Sequence, residues 1–139
     1  MSSTNIRSLA ADSNVLLSAV AGRAARKVFT NSELIVVTTE QNIAEVREYL
    51  PLFAAKYDLP LELLLEVLEL LPITVYAEHE HADEIPAAHQ LLANRDPDDV
   101  ELAALALHLQ IPIWSNDRDY ENFPHGVVTT AVLLKILEL

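Results

Sequence analysis

Leu34-Ile35-Val36-Val37-Thr38 is the stretch on which the fold turns. Residues 35–38 are all β-branched, which suits a pleated strand and disfavours a helix. The run is apolar at nearly every position instead of every second one. That pattern marks a strand buried on both faces, as parallel sheets require, with helices packed above and below. Thr39 follows at once and can cap a helix. Ile43, Val46, Tyr49, Leu50 and Phe53 then recur near helical spacing, and Pro51 is expected to end or kink that helix.

The same alternation extends in both directions. Upstream, residues 6–12 read as a first strand ending on an acid. Residues 14–20 start a helix interrupted at Gly22, and 23–29 make a second short helix. Downstream, 61–71 form a helix between Pro60 and Pro72, and 73–76 a third strand. Residues 85–93 are helical, and Asp98 can cap a helix over 99–109. A fourth strand over 111–115 and a short turn or helix from Asp119 follow. Val127-Val128 is a fifth strand, and 130–139 the last helix. Strands alternating with helices predict an α/β fold: a three-layer α/β/α sandwich around a central parallel sheet. No linker or repeat divides it, so residues 1–139 read as a single domain.

Composition removes several functions. Nine Lys and Arg against 21 Asp and Glu leave a net charge of −12. A nucleic-acid binder held by charge alone is therefore disfavoured, because phosphate contacts need cations. An enzyme that meets phosphate through metal ions is not excluded. Cysteine is absent, which rules out disulfides, thiolate metal sites and thiol catalysis. Two glycines are too few for a glycine-rich phosphate loop. The N-terminus carries no secretory signal pattern and no apolar run reaches a membrane span, so the expectation is a soluble, cytoplasmic protein with no membrane contact.

The acids carry the chemistry. The first strand ends in Asp12-Ser13-Asn14 and the fourth in Ser115-Asn116-Asp117-Arg118-Asp119, while Glu45 stands early in the helix after the second strand. Ligands of an open parallel sheet bind beyond the carboxyl ends of its strands, which puts Asp12 and Asp117 on one edge. Asp99, before the fourth strand, can face that edge too. Carboxylates gathered in this way take up protons or bind a cation. An all-oxygen set suits Mg²⁺ or Mn²⁺ over Zn²⁺, and such ions can activate water against a phosphodiester. The bland alternative is that these acids are helix caps and solvated loop residues.

Four segments in order bear a resemblance. Ala11-Asp12-Ser13-Asn14-Val15-Leu16-Leu17 resembles the opening motif of PIN-domain nucleases. Ile43-Ala44-Glu45-Val46 resembles their second motif. Asp96-Pro97-Asp98-Asp99, with Ala103 and Ala106 after it, resembles the third, and Trp114-Ser115-Asn116-Asp117-Arg118-Asp119-Tyr120 the fourth. The resemblance, which extends to the VapC-like toxin ribonucleases, covers nearly the whole chain. It implies metal-binding, catalytic roles for Asp12, Glu45, Asp99 and Asp117, with Asp119 as an auxiliary ligand. Asn14 and Ser115 would support the site by hydrogen bonds. Asp96 is the alternative third acid. The implied activity is Mg²⁺- or Mn²⁺-dependent endoribonucleolytic hydrolysis of RNA. The implied partners are an inhibitory antitoxin protein and a second copy in a homodimer.

Some features pull elsewhere. Arg23, Arg26 and Lys27 form the only cationic cluster, just after the first motif, where they can receive substrate phosphates or simply solvate a helix. The 61–71 helix carries Glu62, Glu66 and Glu69 on one narrow stripe and is otherwise apolar, so it is either core or part of a partner interface. His79 and His81 fall in what reads as a solvated polar loop. His89, His108 and His125 show no evident catalytic partner. The rival function is a catalytically silent binding or scaffold module of the same fold. A phospho-acceptor receiver domain fits worse, because no lysine follows a late strand.

Overall fold

Strand β1 (Ser8–Ala11) lies at the centre of a five-stranded sheet, between β2 (Ile35–Thr39) and β4 (Ile113–Trp114). β3 (Ile73–Tyr76) flanks β2 and β5 (Val127–Val128) flanks β4, giving the order β3-β2-β1-β4-β5 with every pair parallel. The computed structural model describes residues 6–31, 33–92, 99–117, 120 and 122–139.

Alternation along each strand divides the side chains between two cores. Leu9, Ala11, Val36 and Trp114 point into one, with α1 (Ser13–Val20), α2 (Ala25–Asn31), α3 (Glu40–Lys56), α4 (Leu61–Leu70) and α7 (Thr130–Ile136). Ala10, Val37 and Ile113 point into the other, with α5 (Ile85–Leu91) and α6 (Val100–Leu109). This is the expected three-layer sandwich. Five consecutive residues of α6, Leu102 to Ala106, are buried, so that helix is enclosed round most of its circumference. No helix among the described residues is long and apolar enough to cross a membrane.

Several boundaries differ from expectation. β2 is buried from Val36 to Thr39, but Ile35 is 57% exposed at the strand's entry. α3 runs on through Pro51 instead of ending there. Pro51 is exposed, while Val46, Leu50 and Ala54, four residues apart, are buried against the core. That continuous apolar stripe outweighs the roughly 3 kcal/mol an interior proline costs. β4 is only two residues long. Asp98, Asp96 and Asp119 lie outside the described residues, and α6 starts with Asp99 at its N-cap position.

α4 resolves its two readings by halves. Leu64 and Leu68 enter the core, whereas Leu61, Leu63 and Leu70 are exposed. The region of His79 and His81 is solvated at His79, Glu80 and Asp83, as expected, but not at His81. Two short 3₁₀ turns, Glu78–Glu80 and Ala82–Glu84, shape it, and the second packs against α6. His81 is buried, with its Nε2 3.2 Å from Glu101, and His108 Nδ1 lies 2.6 Å from Glu84.

Candidate active site

The chain order places a topological switch between β1 and β4. β1 leads to β2 and β3 on one side, and the chain then crosses over to β4 and β5 on the other. A crevice opens beyond the carboxyl ends of the two strands at such a point. Asp12 follows β1 there and Ser115 follows β4.

Asp12 leaves the strand in extended conformation and becomes the N-cap of α1, accepting from the Val15 amide at 2.9 Å. It is only 7% exposed. Ser115 Oγ donates to its other carboxylate oxygen. The same hydroxyl accepts from the Asp117 amide at 3.0 Å, so one serine ties the first acid to the loop that bears the second. Asn116 steadies that loop by accepting from the Thr130 amide at 2.8 Å, and the Trp114 indole donates to Thr130 Oγ1 at 3.0 Å.

Glu45 arrives from the other side, on the second turn of α3. Thr39 caps α3 by accepting from the Asn42 amide at 2.9 Å, as its position after β2 predicts. Asn42 is buried and donates from Nδ2 to Ser13 Oγ at 2.8 Å. Ser13 in turn donates to Glu45 Oε1 at 2.5 Å. A relay Thr39–Asn42–Ser13–Glu45 therefore orients the glutamate against the start of α1.

Burial raises the Asp12 pKa above the ordinary carboxylate value. Bonds from Ser115 and Val15 oppose that rise, while the nearby charges of Asp117 and Glu45 add to it. The structure thus brings Glu45 and Asp117 each within electrostatic reach of Asp12. Asp99 sits at the first turn of α6, on the other face of the sheet. Because α6 runs down to the entry of β4, its N-terminus belongs to the same carboxyl edge. Among the described residues, no three acids or histidines stand close enough to hold one ion as they are. The donors nonetheless suit a hard divalent cation: all are oxygens, and their mutual repulsion is the cost a cation removes.

A family model described as PIN domain matches residues 11–134. The chain belongs to the PIN domain family. Among solved structures, a chain of a toxin-antitoxin complex from Klebsiella pneumoniae matches with a TM-score of 0.64 and 19% identity, over 88% of this chain and 97% of that one. A chain of VapBC2 from Rickettsia felis, bound to a DNA fragment from their promoter, matches with a TM-score of 0.66 and 10% identity, over 88% and 98%. No curated protein matches the sequence. At these identities the structural likeness speaks for the fold.

Other expected site residues of this PIN domain fall in different places. Asn14 is exposed, whereas its neighbour Ser13 is buried and joins the acid network. Ser13 and Asn42 are the positioning groups that pattern reading missed. A polar residue beside a strand-end acid, and another early in the α3 turn, were the available signals. Arg26 sends Nε to the Ala19 carbonyl at 2.9 Å and Nη2 to the Val20 carbonyl at 2.5 Å. It closes the C-terminus of α1, which ends about 12 Å along the helix from Asp12. Arg23 and Lys27 are exposed at that same far end.

Proposed function

We propose that this PIN domain is a Mg²⁺- or Mn²⁺-dependent endoribonuclease acting as the toxin of a toxin–antitoxin pair. PIN domains are generally nucleases and generally use divalent metals. The observation that supports the reading is the buried Asp12 carboxylate at the switch crevice, tied by Ser115 to the Asp117 loop and next in sequence to the Ser13 that holds Glu45.

Asp12, Glu45, Asp99 and Asp117 would hold the metal, with Asp119 as an auxiliary ligand. Bound there, a divalent ion supplies Lewis acidity, lowering the pKa of water and neutralising charge on a phosphodiester. The chain's own residues do the positioning. Ser115 and the Val15 amide fix both oxygens of Asp12. Ser13 fixes Glu45. The Ser115–Asp117 hydrogen bond sets the height of the loop. Preset ligands avoid the reorganisation that would otherwise be charged to each turnover.

Exposed Leu52, Leu61, Leu63 and Leu70 on α3 and α4 support a protein partner, either an antitoxin or a second copy. The same surface also favours the second reading, a silent scaffold module. Cleavage of a mixed RNA pool with Mn²⁺ or Mg²⁺, beside EDTA and Asp12→Asn controls, separates them. Metal-dependent cutting lost in the variant supports the nuclease. No cutting together with no Mn²⁺ binding favours the scaffold.

A further inference from the structure

α1 and α3 both leave the carboxyl edge of the sheet and descend past β1 and β2. α1 drops about 12 Å over its eight residues and α3 about 25 Å over its seventeen. Where they end, four of the nine cations of this chain gather: Arg23, Arg26, Lys27 and Lys56. Gly22 permits this by taking a φ of 81° after the α1 C-cap, which turns the chain sharply into the Arg23 loop. A cavity of about 420 Å³ opens among Gly22, Arg23, Ala24, Arg26, Lys27 and Thr30.

A half-buried aromatic ring completes the patch. The Arg23 guanidinium lies over Tyr57, 5.0 Å from the ring centroid, and Lys56 Nζ lies 5.3 Å from it. Phe53 packs against Tyr57 at 5.7 Å and backs the ring. Asp58, next in sequence, offsets one of the four charges.

We infer that this far end is a docking site for single-stranded RNA, remote from the acids at the carboxyl edge. The choice of RNA rests on the nuclease reading above; the site itself rests on charge and shape. Arg23 and Lys56 are exposed and positioned to take successive backbone phosphates, with the cavity beside the turn into α2 receiving the strand. The Arg23 guanidinium, backed by the Tyr57 ring, offers a planar cation on which an unpaired base can lie, whatever its identity. At a net charge of −12, the rest of the chain repels RNA. Metal-free binding of RNA therefore belongs at this end. The strand would be anchored here before its scissile phosphate meets the acids.

The test is fluorescence anisotropy of an end-labelled, unstructured RNA of about a dozen nucleotides, within the usual single-strand site sizes. The full chain is titrated in EDTA across a salt series. Arg23→Glu with Lys56→Glu is expected to weaken binding at least tenfold and to lower the salt slope by about 1.4, near 0.7 for each lost phosphate contact. Tyr57→Leu is expected to weaken binding about tenfold while leaving the slope unchanged, which separates stacking from charge. Thermal melts show that each variant is folded. Absence of metal-free RNA binding, or binding that the double variant leaves intact, overturns the inference. RNA held here by a protein that neither cuts RNA nor binds Mn²⁺ would sink the nuclease and keep the docking site. Cutting without any effect of the double variant on binding would do the reverse.

Discussion

At the carboxyl end of β1, Asp12 is 7% exposed, hydrogen-bonded on both oxygens and pressed by two further acids. At the far end of α1, Arg23 and Lys27 are exposed, Arg23 lying over the Tyr57 ring, and Arg26 binds helix carbonyls. The two ends differ in sign, and more importantly in how the charge is held. Exposed cations are screened and cost the fold little. A buried carboxylate facing its own kind costs stability until a proton or a metal ion arrives. Such an arrangement persists where function demands it, so the acid end reads as the reactive one and the cationic end as a handle.

The strongest way to break this comparison is Asp12→Asn. It keeps the helix cap and removes the charge. RNA cleavage is expected to fall about 10³-fold, the rate equivalent of several kcal/mol of lost charge stabilisation. A variant that cuts as well as the parent would put the chemistry elsewhere. Ser115→Ala comes next. It frees Asp12 from the Asp117 loop and should weaken Mn²⁺ binding 10- to 100-fold by calorimetry, as loss of a ligand's support usually does. Unchanged affinity would reduce Ser115 to a packing role.

At the cationic end the expected effects are smaller. Arg26→Ala removes two hydrogen bonds to the end of α1, and urea unfolding should show a loss of about 1.5 kcal/mol. An RNA affinity that falls as far as in the Arg23 and Lys56 double variant would instead make Arg26 a phosphate ligand first. The smallest effect concerns pH. Burial, then Asp117 and Glu45, hold the Asp12 pKa above its unfolded value. Between those two values the native state binds more protons than the unfolded chain, so metal-free stability falls as pH rises through that window. Melting curves of Asp12→Asn in EDTA should lose this component and lie higher at neutral pH. Added Mn²⁺ should stabilise the parent and not the variant.

What was readable in the chain followed from local chemistry. The β-branched run at 35–38, the cap at Thr39 and the short apolar runs at 73–76 and 127–128 each announce an element through their immediate neighbours. Alternation of those elements implies a parallel sheet, and a parallel sheet puts strand-end acids such as Asp12 and Asp117 on one edge. The remainder depended on contacts between residues far apart in sequence. Pro51 stays helical because Leu50 and Ala54 are clamped in the core. His81 is buried because the turn after β3 closes onto Glu101, twenty residues away. Ser13 outranks Asn14 because the relay through Asn42 crosses 29 residues, and only one of two adjacent polar side chains on a helix can face inward. The cationic cluster looks adjacent to the first motif in the chain, yet α1 carries it to the opposite end of the sheet. Sequence by itself determined the elements, their order and the acids at the strand ends, since propensity and periodicity act over a few residues. The tertiary structure alone decided which polar groups are buried together and which charges are kept apart, since burial and charge depend on distances that only folding sets.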